Sequence, residues 1–159
     1  MSTKDFLKKI KDEDIEYVDV RFTDTRGKLQ HVTIVSDLVD EDFIEEGFMF
    51  DGSSIAGWKS IEASDMKLML DTDTAYVDPF YAEKTLCVHC SIVEPDTGEA
   101  YDRDPRGTAQ KAEAYLISSG IGDTAYMGPE AEFFLFDNVK YSNSINKVSY
   151  EVDASDASW

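Results

Sequence analysis

The chain has 159 residues, enough for one ordinary domain or for a small domain plus part of another. Hydrophobic residues make up 42% and aromatic residues 12%, which allows a packed core and excludes wholesale disorder. The formal net charge of −18 repels phosphate backbones and anionic lipid heads, so neither nucleic acid nor membrane is an expected partner. No apolar run approaches the ~20 residues of a bilayer span. The start, Met1-Ser2-Thr3-Lys4-Asp5-Phe6, lacks the basic-then-apolar pattern of a secretory signal, so a cytoplasmic location is expected.

The spacing of Phe6, Leu7 and Ile10 predicts a short helix over Thr3 to Lys11. Val18, Val20 and Phe22 alternate with polar residues, the mark of a half-buried strand over Tyr17 to Thr23. Asp24-Thr25-Arg26-Gly27 is a turn, and Lys28 to Val35 is the returning strand. Asp40 to Glu46 reads as a helix stopped by Gly47. Two strands are expected at Lys67–Leu70 and Thr74–Val77, then one at Leu86–Val93 that ends in the turn Glu94-Pro95-Asp96-Thr97-Gly98.

A new unit opens at Asp102-Arg103-Asp104-Pro105-Arg106, where Asp104 suits an N-cap and Pro105 the first helical position. Ala109, Ala112, Tyr115 and Leu116 recur at helical spacing, and Gly120 is the stop. Ala125 to Asp137 is expected to be a strand, and Lys147 to Val152 one more. The second unit has too few elements to close a core, and the chain stops at Trp159 without a capping element. A truncated chain is therefore expected.

Cys87 and Cys90, with His89 between them, invite a redox or zinc reading. Residues three apart on a strand point to opposite faces, so ordinary strand cysteines in a reducing compartment are expected instead. His31 sits in a polar-alternating strand and reads as structural or exposed. No Ser-His-Asp or Cys-His arrangement can be assembled from the two histidines.

Glu130 and Glu132 share one face of the expected strand, with Cα atoms about 6.5 Å apart. Phe134 and Phe136 continue that face, so the pair is expected to be partly covered. Two carboxylates in such a place lose solvation and repel each other, and a hard divalent cation would offset that cost. Taken alone, however, a Glu-x-Glu pair is more often two solvated glutamates at a strand end, and two ligands do not fill a coordination sphere. Asp51-Gly52-Ser53-Ser54-Ile55-Ala56-Gly57-Trp58 is a tight, adaptable loop carrying a large aromatic. It is not a P-loop, and spacing alone favours an ordinary turn in which Asp51 bonds its own backbone and Trp58 packs on the domain.

Four segments taken together resemble one family: Arg21–Lys28, Met49–Ile55, Tyr101–Arg106 and Gly128–Phe136. Their order and spacing are similar to those of the N-terminal third of bacterial type I glutamine synthetases. The resemblance implies an α+β fold, with a β-grasp domain over about residues 13–98 and the truncated start of a catalytic domain over 104–159. It implies a ligase that phosphorylates the γ-carboxylate of glutamate with ATP and lets ammonia displace the phosphate. Glu130 and Glu132 match two ligands of different divalent cations, Mg²⁺ or Mn²⁺. Asp51 matches the aspartate that binds ammonium and takes its proton, Ser54 a serine beside it, and Trp58 an aromatic at a subunit boundary. The implied assembly is a homo-oligomer of two stacked six-membered rings, with sites between neighbouring chains. These residues alone complete no active site, so the chain by itself is expected to be inactive. Two further readings stand beside this one: a non-catalytic β-grasp module that associates with a full-length synthetase, and a small acidic metal-binding protein.

Overall fold

The computed structural model describes residues 1–158; the last residue of the expected second domain, Trp159, lies outside them. The described chain divides into two compact units, one over Met1–Thr124 and one that starts at Ala125.

The first unit begins with α1 (Thr3–Asp12), capped by the Ser2 hydroxyl, which accepts from the Asp5 amide. Strand β1 (Tyr17–Thr23) turns back through Asp24, whose Oδ1 accepts from the Arg26 and Lys28 amides, into β2 (Leu29–Val35). Helix α2 (Glu41–Glu46) is capped by Asp40 and ends at Gly47. Gly47 has φ +84°, and a Cβ there would lie 2.6 Å from the Leu68 carbonyl, so the position requires glycine. Strand β3 (Phe48–Asp51) was not expected as a strand; it runs along the edge of β4 (Asp65–Val77). Strand β5 (Thr85–Val93) lies between β4 and β1.

The sheet order is β2-β1-β5-β4-β3, with β1 and β5 parallel and the other neighbours antiparallel. One face buries Val18, Val20, Phe22, Met66, Leu68, Leu86, Val88 and Ile92 in one core with Phe6 and Ile10 of α1 and Ile44 of α2. This is the expected α+β arrangement, a mixed sheet packed on helices.

The two strands expected at 67–70 and 74–77 are a single 13-residue strand. Its register against β5 shifts between Asp71 and Tyr76. The Thr74 hydroxyl accepts from the His89 amide at 2.9 Å, standing in for a ladder partner where the pairing is interrupted. A side-chain oxygen thus bridges what the sequence presents as a turn.

The other face of the sheet carries a polar network. Asp19 is fully buried and accepts from Arg21 Nε (2.7 Å) and Thr33 Oγ1 (2.7 Å), with His31 Nδ1 at 2.8 Å. Arg21 also donates to Tyr76 (2.6 Å) and Asp78 (3.1 Å), tying β1 to the end of β4. Burial pushes the Asp19 carboxyl up, but the bonds from Arg21, His31 and Thr33 outweigh it and hold the group below its ordinary value. Cys87 lies on this face and Cys90 in the apolar core; both are free, and burial pushes their thiols up to about 11 and about 12. Both thiols therefore stay protonated and inert near neutral pH.

Helix α3 (Pro105–Ser119) starts at Asp104 and stops at Gly120, which is left-handed at φ +70°. Asp104 is buried: one oxygen caps Arg106 N (3.0 Å) and the other accepts from Ile92 N of β5 (3.1 Å). Of the apolar stripe on α3, Ala109, Ala112 and Tyr115 are exposed and Leu116 half-buried.

In the second unit the expected strand over Ala125 to Asp137 does not form. Residues 125–136 have no regular structure and are exposed throughout. A strand needs neighbours for its backbone donors and acceptors, and no described strand pairs with this segment. The unit's ordered part is a hairpin of β6 (Asn138–Ser144) and β7 (Lys147–Asp153). In Asn138–Ser144 only Val139 and Tyr141 alternate with polar residues, too short a pattern to mark β6 in the sequence. Among the described residues no helix is long and apolar enough to cross a membrane.

The Asp19 network makes stability pH-dependent with a definite sign. A carboxyl held below its unfolded value of about 4 stabilises the fold above that value, and the contribution disappears as pH falls through the lower folded value. Asp19→Asn is expected to cost roughly 2–4 kcal/mol at pH 7, with the gap to wild type narrowing toward pH 2. Urea midpoints across that range measure it.

Candidate functional site

Strand β3 delivers Asp51 to the edge of the sheet, opposite Asp65, and the chain then turns sharply. The Gly52 amide donates to the Ser64 carbonyl at 2.7 Å. A Cβ on Gly52 would strike the buried Met66 side chain, so the backbone comes this close only as glycine. Gly52–Ser54 form one 3-10 turn.

Asp51 caps that turn. Its Oδ1 accepts from the Ser53 amide (2.8 Å) and the Ser53 hydroxyl (2.6 Å). The hydroxyl and then the amide favour the charged form and hold the exposed carboxyl below the usual range. The ordinary turn read from spacing, with Asp51 bonding its own backbone, is therefore present. The hydroxyl bonded to Asp51 belongs to Ser53, while Ser54, singled out from the sequence, is exposed on the same turn. The signal for Ser53 was available: an aspartate commonly bonds the residue two further on.

Ile55 and Trp58 return the loop to the core. The Trp58 ring lies 5.5 Å from Phe22, 6.3 Å from Phe50 and 5.4 Å from Tyr101, at tilted or edge-on angles. Its carbonyl accepts from the Tyr101 hydroxyl at 3.0 Å, and Arg103 Nη1 donates to the Gly57 carbonyl. The indole Nε1 is buried without a hydrogen-bond partner. Tyr101 and Arg103 were not recognised as part of this site, because the segment from Asp102 to Arg106 is fully explained as a helix start.

Asp51 therefore offers an exposed anion on a fixed turn. It is suited to attract a small cation and to accept a proton from it.

Glu130 and Glu132 stand in water on the irregular segment of the second unit. This corrects the expectation of a covered strand face. The Phe134 and Phe136 rings stack 6.2 Å apart, as residues two apart on an extended chain can, yet both are exposed. Carboxylate oxygens suit a hard cation. Among the described residues, however, no cluster of three or more His, Cys, Asp or Glu side chains is placed to hold a metal.

The family model for the glutamine synthetase β-grasp domain matches residues 14–95, and that for the glutamine synthetase catalytic domain matches 102–158. The chain is similar to a glutamine synthetase of Cereibacter sphaeroides, 73% identical over 155 residues, covering 98% of this chain and 33% of that protein. It is also similar to a 3-hydroxylaminophenol mutase of Cupriavidus pinatubonensis, 53% identical over 158 residues, covering 99% and 34%. In fold it matches the cryo-EM structure of Plasmodium falciparum glutamine synthetase with a TM-score of 0.75 at 24% identity, covering 96% of this chain and 30% of that one. The chain spans about one third of the length of these relatives.

Ser53→Ala removes the largest of the hydrogen bonds, from the Ser53 hydroxyl, the Ser53 amide and Ser64, that lower the Asp51 carboxyl. The Asp51 pKa is expected to rise toward the ordinary aspartate value of about 4. Carbon-detected NMR titration of the side-chain carboxyl measures the shift.

Proposed function

Since the chain belongs to the glutamine synthetase family, we propose that it acts within a glutamate–ammonia ligase as its N-terminal part. The observation that carries the reading is the pair of consecutive family matches, β-grasp then catalytic domain, over residues 14–95 and 102–158. In this reading the β-grasp domain runs over about 13–98 and the catalytic-domain opening over 104–159; the buried Asp104, bonded to Ile92 of β5 and Arg106 of α3, lies at that junction. ATP phosphorylates the γ-carboxylate of glutamate, and ammonia then displaces the phosphate.

In this reading Asp51 attracts ammonium and takes the proton that turns it into nucleophilic ammonia. Its exposure leaves the carboxylate open to a ligand, and the lowered pKa keeps it charged, which supports the attraction of ammonium. Ser54 sits on the same turn and lines the ammonium position. Glu130 and Glu132 each contribute a carboxylate to a different divalent cation, Mg²⁺ or Mn²⁺. Such cations neutralise charge on a transferring phosphoryl group. The donor type fits a hard cation, and two carboxylates do not fill its coordination sphere. The exposed Tyr126, Phe133, Phe134, Tyr141 and Tyr150 fit a catalytic-domain opening that the rest of such a domain covers. Ring assembly of a cytoplasmic homo-oligomer brings Asp51 of one chain to the glutamates of the next, with Trp58 near that boundary.

The β-grasp module is the second reading, and the closed core of the first unit favours it. Its test is co-purification of the 159-residue chain with a full-length synthetase; a lone monomer counts against it.

The 159-residue chain alone is expected to show no ligase activity and only weak Mn²⁺ binding by calorimetry, further weakened by Glu130→Gln/Glu132→Gln. In a full-length enzyme carrying this sequence, Asp51→Asn is expected to lower ammonium-dependent kcat/KM by about 10²–10⁴. An unchanged kcat/KM for ammonium in that variant contradicts the reading.

A further inference from the structure

The loop from Asp51 to Trp58 has little regular structure of its own. It contains two glycines, Gly57 has φ +83°, and two short turns organise it, Gly52–Ser54 and the one closed by the Trp58 amide on the Ile55 carbonyl. Its start is fixed by the β3–β4 pairing and the bond from the Gly52 amide to the Ser64 carbonyl. Its end has no such ladder. The Trp58 amide bonds only within the loop, to the Ile55 carbonyl (3.1 Å), and the indole Nε1 is unpartnered, so ring packing and the Lys59–Glu94 ion pair just after the loop leave the carbonyls of Gly57 and Trp58 still to be placed.

Two side chains from another segment close that gap. The Tyr101 hydroxyl, buried, donates to the Trp58 carbonyl at 3.0 Å. Arg103 Nη1 donates to the Gly57 carbonyl and reaches the Trp58 carbonyl at 3.4 Å. Their own segment is rigidly held. The Tyr101 amide donates to the Ile92 carbonyl (2.9 Å), the Asp104 amide to the Tyr101 carbonyl (3.0 Å), and the Ile92 amide to Asp104 Oδ2 (3.1 Å).

We propose that Tyr101 and Arg103 are positioning residues for the Asp51 loop, transmitting the fixed geometry of the β5–α3 junction to the carboxylate through the carbonyls of Gly57 and Trp58. The link to ammonium rests on the function proposed above; the link to the loop does not. Neither residue touches a reacting atom. Both act through the backbone they hold.

Hydrogen exchange on the full chain tests the clamp directly. The Ile55 and Trp58 amides donate within the loop, to Gly52 (3.2 Å) and Ile55 (3.1 Å), and report its opening. Tyr101→Phe keeps the ring stack and removes only the hydroxyl. It is expected to speed exchange of these two amides about fivefold, with β1 and β5 unchanged, because one hydrogen bond to the loop is lost. Arg103→Ala is expected to do the same, and Arg103→Lys to restore part of the protection. In the full-length enzyme the same variants are expected to raise the KM for ammonium about as much, with kcat and the KM for glutamate nearly constant. Unchanged exchange in both variants overturns the proposal. So does faster exchange across the whole sheet, which marks a merely structural role. If the loop loosens while Asp51→Asn leaves kcat/KM for ammonium unaltered, the clamp stands and the ammonium reading fails.

Discussion

The burial of one indole ring governs where the loop after β3 can go. Trp58 is only 5% exposed and meets aromatic rings from β1, from β3 and from the segment before α3. Those three pieces are distant in sequence, and the ring is the point at which they converge. A loop rich in glycine and serine costs backbone entropy to fix. Burial of a large aromatic offsets much of that cost, and the carbonyl bonds from Tyr101 and Arg103 select one backbone position among those the packing allows. The exposed carboxylate of Asp51 sits at the other end of this loop, held by the β3–β4 pairing and the bond from the Gly52 amide to the Ser64 carbonyl.

The carboxylates of this acidic chain fall into distinct physical classes. Asp19 and Asp104 are buried, and each is surrounded by donors: the first by a guanidinium, an imidazole and a hydroxyl, the second by two backbone amides. These groups hold strands and helices together, and their burial keeps a ligand from reaching them. Asp51, Glu130 and Glu132 are exposed. A carboxylate that serves a small cation must keep oxygen available, so exposure here is what the proposed chemistry requires. The same distinction separates Cys87 and Cys90, both buried and protonated, from any redox or metal role.

Much of the first unit is legible in the residues because local signals and tertiary packing agree there. The alternation of Val18, Val20 and Phe22 matches β1, and Asp104, Pro105 and Gly120 mark both ends of α3. The sequence misleads where a long-range partner decides the outcome. The break expected between Leu70 and Thr74 is bridged because the Thr74 hydroxyl meets an amide of β5. The strand expected around Glu130 lacks a neighbour to pair with, and its alternation alone cannot hold it. In the site, Asp51 and its turn are readable from local rules. The clamp from Tyr101 and Arg103 is not, because it joins residues more than forty positions apart.

In the proposed function Asp51 and the glutamate pair act in one ligase site assembled from neighbouring chains. Mixed oligomers test it most directly. Full-length Asp51→Asn and Glu130→Gln enzymes are assayed singly, then dissociated, combined and reassembled, and glutamine formation is compared with that of each parent. The account predicts recovered activity, because some neighbouring pairs join an intact Asp51 from one chain to an intact Glu130 from the other. Mixed rings that assemble fully and are no more active than the parents contradict it.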